Sequence, residues 1–292
     1  MDFPIGMRLS PKLAAKGLEY VADWAANQGM DVIDVPEWNQ TTKTIFDKYG
    51  LQVGSIDGRG AVGNTKLLSL DAEKRKQAVS DIMEQMSEVG ALGGKVLFMC
   101  LIPEDNQTPK KQSFALWKET FPDIIHHAEK EDVYIALEGY PGPAPYYPTI
   151  GCTPEMLRAM FQAIPSKHFG LNFDPSHLVR LGIDYMRVLT EFGDHITYCH
   201  GKDTELLREE WYEYGGLPAV FGPAFDFSEG SWRYTIPGHG EVNWSKVASG
   251  LEKIGYKGPI SIELEDHRYW GSLELEKQGM IKAREHLVNY FK

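Results

Sequence analysis

The sequence contains few cysteines and no long hydrophobic run. Its three cysteines, Cys100, Cys152 and Cys199, are widely separated and form no CxxC spacing. This pattern argues against a disulfide framework and a structural zinc site, and it favours a reducing compartment. No window of about 18 apolar residues occurs, so a membrane-spanning helix is not expected. The N-terminus, MDFPIGMRLSPK, lacks the basic and apolar regions of a secretory signal, and we therefore expect a cytoplasmic protein without a membrane partner.

Positive charge is also scarce. The 292 residues include 30 lysines and arginines against 41 aspartates and glutamates, which gives a formal net charge of −11. A nucleic-acid surface needs a basic stripe that releases counterions, and none stands out in this chain. Hydrophobic residues make up 42% of the sequence, as is typical of soluble globular proteins. The composition therefore predicts a globular protein with no nucleic-acid partner.

The chain has no low-complexity stretch, no obvious linker and no glycine-rich phosphate loop. The first predicted strand runs into RLSPK, and GNTK further on is not a Walker motif, so a doubly wound nucleotide-binding fold is disfavoured. Short apolar runs instead alternate with segments of helical period, which predicts βαβ units and a parallel sheet. Eight such units predict an α/β fold with one domain, a single (β/α)8 TIM barrel over residues 1–292. The predicted strands are 4–9, 31–37, 51–57, 95–101, 133–139, 169–175, 196–202 and 259–265.

Eight helices are expected between and after these strands. The clearest spans 71–89, where apolar residues recur at three- and four-residue spacing. Asp71 is its expected N-cap and Gly90 its expected end. The last helix is predicted at 271–291, and Asn243 is the expected N-cap of the helix before it.

Charged or polar residues end four successive predicted strands. Residues two apart on a strand share a face, and the fifth, sixth and eighth strands alternate apolar residues with small or polar ones. On these three strands, the face with small or polar residues ends in Glu138, Asp174 and Glu263, respectively. His200 ends the run ITYCH of the seventh strand. These four side chains are therefore expected at the carboxyl end of the barrel, which carries the active site in this fold.

Three converging carboxylates need a compensating positive charge, because uncompensated buried charges are costly. A bound divalent ion would supply that charge. Three carboxylates and one imidazole suit Mn²⁺ first, and then Co²⁺, Fe²⁺, Mg²⁺ or Zn²⁺. For each residue taken alone, a salt bridge or a helix cap is the alternative. The joint pattern predicts one divalent metal site.

The segments IALEGY, LNFDPSH, CHGKD, IPGHGEVNW and ISIELE, in this order, resemble motifs of the sugar phosphate isomerase/epimerase family. Its members are xylose-isomerase-like TIM barrels, and they include ketose 3-epimerases and inosose dehydratases. The resemblance covers the C-terminal two thirds of the chain, whereas the first 90 residues match only as generic βα units. It implies that Glu138, Asp174, His200 and Glu263 bind one divalent metal ion.

The resemblance also implies which residues bind the substrate. His177 corresponds to a histidine that contacts the substrate near the metal, and Arg233 is the nearest candidate for an arginine that reaches the substrate. Lys202 is a further substrate-binding candidate. Lys202 and Asp203 are also candidates for orienting His200, and a salt bridge to a barrel carboxylate is the alternative for Lys202.

The predicted reaction is proton abstraction next to a carbonyl of a keto-sugar or polyol. A divalent metal would stabilise the enediolate, and Glu138, Glu263 and His177 are the predicted catalytic residues. Proton return to the opposite face gives an epimerase, whereas one glutamate acting alone gives an aldose–ketose isomerase. Expulsion of a neighbouring leaving group is the alternative, and it gives a lyase of 3-oxo-glycosides or an inosose-type dehydratase.

Two other functions are weighed against these enzymes. A DNA-repair endonuclease on the same barrel is disfavoured by the charge of −11 and by the absence of further strand-end histidines. A non-catalytic subunit of a larger complex is the remaining alternative. The leading prediction is a metal-dependent sugar isomerase or epimerase.

Aromatic residues are concentrated in the connection between residues 204 and about 240, which is the longest in the chain. Long connections are typically lids or binding loops, and the alternative is an insertion that only packs on the surface. The aromatic rings suit a subsite for a glycoside or bulky keto-sugar, and they suit the interface of a homo-oligomer equally well. With a second aromatic loop after Glu138, they predict a substrate larger than a triose or tetrose. The residues are Trp211, Tyr212, Tyr214, Phe221, Phe225, Phe227, Trp232 and Tyr234, with Tyr140, Tyr146 and Tyr147 in the second loop.

Overall fold

The computed structural model describes residues 2–222 and 225–292. Residues 1, 223 and 224 lie outside the described residues. All three belong to the predicted domain, and residues 223–224 also belong to the predicted long connection. The strands are β1 (Ile5–Arg8), β2 (Val32–Val35), β3 (Gln52–Thr65), β4 (Val96–Pro103), β5 (Tyr134–Glu138), β6 (Phe169–Phe173), β7 (Ile196–Gly201), β8 (Asp203–Leu206), β9 (Trp232–Thr235) and β10 (Ile260–Ile262). Eight of them close a barrel in the order β1-β10-β7-β6-β5-β4-β3-β2.

The closed parallel barrel confirms the predicted (β/α)8 fold, and each barrel strand begins inside its predicted range. β4 ends slightly later than predicted, at Pro103 instead of 101, and β3 continues furthest past its predicted end at 57. After a register shift it pairs with β4 again, from Val62 opposite Cys100 to Thr65 opposite Pro103. The GNTK segment therefore lies at the end of a strand rather than in a phosphate loop.

Side chains along each strand point alternately outward and inward, so the barrel has one apolar layer beneath the helices and a smaller one in its interior. On β4, Leu97, Met99 and Leu101 join the core between the strands and the helices. Phe98 and Cys100 form part of a separate, smaller cluster that faces the barrel interior, because neighbouring residues of a strand point to opposite faces. The larger layer contains most of the buried apolar surface, and that burial provides the main driving force for folding.

Eleven α-helices lie in the described part of the chain, against eight expected. They are α1 (Pro11–Ala14), α2 (Leu18–Asn27), α3 (Gln40–Tyr49), α4 (Ala72–Ala91), α5 (Lys110–Glu131), α6 (Pro154–Ala163), α7 (Pro175–Arg180), α8 (Tyr185–Glu191), α9 (Arg208–Tyr214), α10 (Trp244–Lys253) and α11 (Leu273–Phe291). The additional helices were missed because α1, α7 and α9 span only 4, 6 and 7 residues, too few for a periodic pattern. None of the described helices combines the length and the apolar character needed to cross a membrane.

Two of the predicted helix caps are present. The Asp71 side chain accepts a hydrogen bond from the backbone N–H of Glu73, and α4 ends one residue beyond Gly90. The Asn243 side chain accepts a bond of 3.0 Å from the N–H of Lys246 at the start of α10. Both caps satisfy backbone donors that have no partner inside the helix.

The long connection contains regular structure. After β7 the chain forms β8, α9 and β9, and β8 pairs with β9 in an antiparallel hairpin. Asp203 lies opposite Thr235 at one end of this hairpin, and Leu206 lies opposite Trp232 at the other. The hairpin places the residues of β9 above the carboxyl end of the barrel, next to the strand ends that carry the predicted ligands.

Asp203 joins the start of this hairpin to the segment that follows it. Its buried carboxylate accepts hydrogen bonds from the N–H groups of Val242 at 2.9 Å and Gly238 at 3.1 Å, and from the indole N–H of Trp244 at 3.1 Å. A β-carbon at Gly240 would lie 2.3 Å from Asp203 Oδ1, so this position has no room for a side chain. Asp203 therefore holds the start of the hairpin against the segment 238–244, and its hydrogen bonds among the described residues go to this segment and to Thr204 rather than to His200.

Candidate metal centre and pocket

Four side chains converge at the carboxyl end of the barrel. Glu138 is the last residue of β5, Asp174 follows β6, His200 lies in β7 and Glu263 follows β10. Each offers one ligand atom, and these atoms all lie within 4.8 Å of one another. Asp174 also caps α7, because its Oδ1 accepts a bond of 2.8 Å from the N–H of Ser176. This cap leaves Asp174 Oδ2 for the cluster.

The donor atoms of this cluster fit a bound cation. His200 Nδ1 lies 3.5 Å from Glu263 Oε2 and 3.6 Å from Glu138 Oε2. Among the described residues, neither His200 Nδ1 nor Asp174 Oδ2 forms a hydrogen bond, although both are buried. Burial lowers the pKa of His200, but the carboxylates of Glu263 and Glu138 outweigh it and raise the pKa to about 9. Carboxylates and one imidazole are ligands that divalent ions accept, so the cluster can hold a metal ion.

Lys202 is buried beside this cluster. Its ammonium donates hydrogen bonds to Glu263 and, at 3.0 Å, to Glu265 Oε2. It also lies 3.2 Å from Asp174 Oδ2 and 3.3 Å from His177 Nε2. The structure thus places Lys202 in ion pairs with the carboxylates around the candidate metal centre, and its side chain reaches the pocket described below.

Glu138 is held from two sides. The amide of Asn172 donates a hydrogen bond to Glu138 Oε2, and His177 Nε2 lies 2.6 Å from Glu138 Oε1. On the other side of its ring, His177 Nδ1 lies 2.6 Å from the hydroxyl of Tyr234. Burial and the nearby ammonium of Lys202 lower the pKa of His177 to about 3, so its imidazole is neutral between the carboxylate and the pocket wall.

Glu263 lies between the guanidinium of Arg8 and the ammonium of Lys202. Arg8 Nε is 3.4 Å from Glu263 Oε1, and Arg8 Nη2 is 2.6 Å from Asp57 Oδ1. Although burial opposes ionisation, Lys202 and His200 hold the pKa of Glu263 well below its usual range. The carboxylate of Glu263 is therefore ionised and fixed in direction.

A cavity of about 450 Å³ opens above these side chains, within the size range of small-molecule sites. Its lining combines the candidate metal centre with aromatic and aliphatic side chains from several loops. The lining includes Arg8, Val62, Phe98, Ile102, Glu138, Tyr140, His177, Arg180, Lys202, Phe227, Glu229, Trp232, Tyr234, Glu263 and Glu265.

Arg180 forms much of the wall away from the candidate metal centre. Its guanidinium lies 4.0 Å from the ring centre of Trp232, and it is 2.5 Å from Glu229 Oε2. It also donates a bond of 3.0 Å to the hydroxyl of Tyr234. Arg180 was not predicted from the sequence, although it follows His177 by three residues and such residues share one face of a helix.

The structure does not bring Arg233 to the cavity. Neighbouring residues of a strand point to opposite faces, and on β9 Trp232 and Tyr234 line the cavity. Arg233 points the other way, with its guanidinium 3.2 Å from Glu210 Oε1 and 4.3 Å from the ring centre of Phe225. Among the described residues, the arginines that line the cavity are Arg8 and Arg180, neither of which was predicted from the sequence.

The aromatic residues of the long connection include two contrasting groups. Phe227, Trp232 and Tyr234 line the cavity, whereas Tyr212 and Phe221 are 85% and 99% exposed. The first group occupies the position expected for a binding subsite. The second lies on the surface, and the oligomer interface considered for the aromatic residues of this connection stays a prediction.

The chain matches the family model of the xylose isomerase-like TIM barrel over residues 11–290. It is 28% identical over 228 residues to the uncharacterized protein YfiH of Bacillus subtilis (strain 168), and the match covers 68% of each chain. It is 27% identical over 176 residues to an inosose dehydratase of Lactiplantibacillus plantarum, which covers 59% of this chain and 55% of the dehydratase.

The fold is similar to that of a crystal structure of a D-tagatose 3-epimerase-like protein, with a TM-score of 0.70 and 20% sequence identity over 99% of this chain and 97% of the other. At this identity the similarity concerns the fold alone. The family match spans nearly all of the chain and confirms the resemblance seen in the sequence motifs. The chain therefore belongs to the family of xylose isomerase-like TIM barrels.

Proposed function

We propose that this protein is a divalent-metal-dependent sugar isomerase or epimerase that abstracts a proton next to a carbonyl. The observation that carries the proposal is the convergence of Glu138, Asp174, His200 and Glu263 within 4.8 Å, at the floor of a cavity of about 450 Å³. Similarity to an inosose dehydratase supports a carbohydrate or polyol substrate.

The proposed metal ligands are these four residues, and Mn²⁺ is the metal we expect first because most of the donors are oxygens. A bound divalent ion would supply Lewis acidity to a carbonyl oxygen and a neighbouring hydroxyl. Glu138 and Glu263 approach the floor of the cavity from different directions, because β6 and β7 lie between β5 and β10 in the barrel. One carboxylate can therefore remove a proton from one face of a carbon, and the other can return a proton to the opposite face.

His177 and Lys202 are proposed to bind the oxygen atoms of the substrate. His177 lies between Glu138 and the wall residue Tyr234, so its neutral imidazole can exchange a hydrogen bond with a sugar hydroxyl. The ammonium of Lys202 already pairs with Glu263 and Glu265. It can keep these carboxylates in place while one of them moves a proton.

The charges in the cavity favour an uncharged substrate. Arg8 pairs with Asp57 and Glu263, and Arg180 pairs with Glu229. Lys202 pairs with the carboxylates described above. A phosphate or carboxylate group would have to displace one of these partners, so we propose a neutral keto-sugar rather than a sugar phosphate.

A lyase or dehydratase is the second candidate. The aromatic wall formed by Tyr140, Phe227 and Trp232 extends the cavity beyond the candidate metal centre and offers stacking faces for a second ring. This space favours a glycoside such as a 3-oxo-glycoside, whose elimination uses the same proton abstraction. The similarity to an inosose dehydratase supports dehydration in the same way.

Metal analysis and proton exchange test the proposal. Elemental analysis of the purified protein is expected to find about one divalent ion per chain, and keto-sugars incubated in D₂O are expected to exchange the proton next to the carbonyl. Glu263→Gln should lose both metal and exchange. Glu265→Gln is the matched control, because Glu265 also bonds Lys202 but lies outside the four-residue cluster, and it should keep its metal.

The products distinguish the candidates. Inversion at one carbon indicates an epimerase, a new aldose indicates an isomerase, and release of an aglycone or water indicates a lyase. Wild-type exchange in Glu263→Gln, or a protein that neither contains nor binds a divalent ion, would contradict the proposal and favour a non-catalytic role.

A further inference from the structure

A fourth carboxylate is buried in the barrel interior next to the candidate metal centre. Asp34 lies in β2, is 1% exposed and is not among the four converging ligands. Its Oδ1 accepts hydrogen bonds from the N–H of Ser55 at 2.8 Å and from the hydroxyl of Tyr198. Its Oδ2 accepts a bond of 2.6 Å from Ser261 Oγ. Donors from three different elements thus hold this carboxylate in one orientation.

The fold reserves space for this carboxylate. A β-carbon at Gly54 would lie 2.1 Å from Asp34 Oδ1 and 2.2 Å from the hydroxyl of Tyr198, so only glycine fits there. An ionised carboxylate offers about four acceptor sites, and the three donors described above occupy three of them. One acceptor site of Asp34 remains for a further donor.

His200 faces that remaining site. Its Nε2 lies 3.9 Å from Asp34 Oδ2, and its Nδ1 faces Glu138 and Glu263 at 3.6 and 3.5 Å. Neither ring nitrogen forms a hydrogen bond among the described residues. For Nδ1 to bind a metal with its lone pair, the ring proton must reside on Nε2.

We propose that Asp34 is a positioning residue that keeps the proton of His200 on Nε2 and thereby makes Nδ1 the metal ligand. In a buried, low-dielectric site, a negative charge 3.9 Å away favours the proton on the nearer nitrogen. Metal-bound histidines commonly use a carboxylate in this role. The inference rests on the proposed metal centre, and it assigns a function to a residue of the N-terminal third.

The variant Asp34→Asn tests the inference. Asparagine has nearly the same shape, and its amide oxygen can keep the bonds from Ser55 and Tyr198. Its NH₂ group would then face His200 Nε2 as a donor, which favours the proton on Nδ1. We expect Mn²⁺ to bind the variant about 10- to 100-fold more weakly than the wild type, measured by competition with a chelator.

Glu276→Gln is the matched control. Glu276 is also buried, and its Oε2 accepts three bonds, from Ser10 Oγ at 2.6 Å and from the N–H groups of Lys12 and Leu13 at 2.9 and 3.1 Å. The same carboxylate-to-amide change there should lower the melting temperature and leave Mn²⁺ affinity as in the wild type. Equal loss of affinity in both variants would show a merely structural effect and overturn the inference, as would unchanged affinity in Asp34→Asn.

A measurement on the wild type covers the case in which Asp34→Asn does not fold. In protein labelled with ¹⁵N-histidine and loaded with diamagnetic Zn²⁺, NMR should show that His200 keeps its proton on Nε2. A proton on Nδ1, with the metal on Nε2, would overturn the inference. If the wild type binds no metal, the proposed function fails together with the inference, whereas metal binding that is insensitive to Asp34→Asn removes the inference alone.

Discussion

At the scale of single residues, Arg180 determines how the wall of the cavity is held. Its guanidinium stacks on Trp232 and pairs with Glu229, and it donates to the hydroxyl of Tyr234. Tyr234 in turn contacts His177. A single buried cation therefore connects the aromatic wall to the residue that lies against Glu138.

Arg180→Met should weaken substrate use without removing the metal. Hydrogen bonds of charged groups typically contribute 1.5–3 kcal/mol, so we expect kcat/KM to fall by about 10- to 100-fold with unchanged metal content. Steady-state kinetics on the substrate identified by the exchange assay measures this effect. Arg233→Met is the control, because Arg233 lies outside the cavity, and its kinetics should stay close to those of the wild type. A larger loss in Arg233→Met than in Arg180→Met would contradict the geometry described above.

Residue-level prediction depended on strand register. Glu138 and Glu263 could be selected because alternation on short strands fixes which side chains point inward. Arg233 was selected by its position along the chain, and its strand was not predicted, so its direction could not be derived. Arg180 lies in a six-residue helix that leaves no periodic signal, and the pairing of Asp34 with His200 depends on contacts between distant strands.

At the scale of elements, the β8–β9 hairpin is fixed by one carboxylate. Both oxygens of Asp203 accept bonds: Oδ1 from the N–H groups of Thr204 and Val242, and Oδ2 from Gly238 and Trp244. All four partners are N–H donors. In an asparagine, the NH₂ group would replace one of the two oxygens and would point its own N–H groups at two of these donors.

Asp203→Asn should therefore destabilise the protein by about 1–3 kcal/mol, the typical cost of leaving a buried group without its partner. Urea unfolding in the presence of a chelator measures the change without a contribution from metal binding. Asp123→Asn, at an exposed position of α5, is the control and should change the free energy of unfolding by less than about 0.5 kcal/mol. Equal stability of the two variants would show that Asp203 does not hold the hairpin.

The elements were predicted unevenly for a physical reason. The eight barrel strands contain short, largely apolar runs bounded by turns, and all except β3, which ends at Thr65 instead of 57, were found with small errors at their ends. The hairpin of the long connection has few apolar residues on β8 (Asp203–Leu206), and its pairing depends on the barrel beneath it. Local sequence patterns do not contain that information.

At the scale of the whole molecule, the candidate metal centre connects four of the eight barrel strands. Its ligands end β5, β6, β7 and β10, which are neighbours in the barrel. The four ligand atoms lie within 4.8 Å of one another in the native structure and are far apart in the unfolded chain, so a divalent ion binds the native state preferentially. Metal binding is therefore expected to stabilise the whole barrel.

A thermal melt tests this expectation. A ligand at a hundredfold excess over its Kd stabilises the native state by about 2.7 kcal/mol, which corresponds to a rise in Tm of about 5 °C for a chain of this size. Chelation should lower the Tm by a similar amount. Glu263→Gln should show little response to either treatment, and an equal metal-dependent shift in that variant would place the metal elsewhere.

The residues proposed to carry out the reaction and the aromatic residues of the cavity wall come from different segments of the chain. The proposed acid–base carboxylates and metal ligands come from the barrel strands or directly follow them, whereas Phe227, Trp232 and Tyr234 reach the cavity from a segment whose two ends are joined by Asp203. Exchanges at Phe227 and Trp232 would therefore change which molecule fits the cavity while the four proposed metal ligands stay in place. A lineage of such barrels can acquire new substrates through this one segment while it retains the same chemistry.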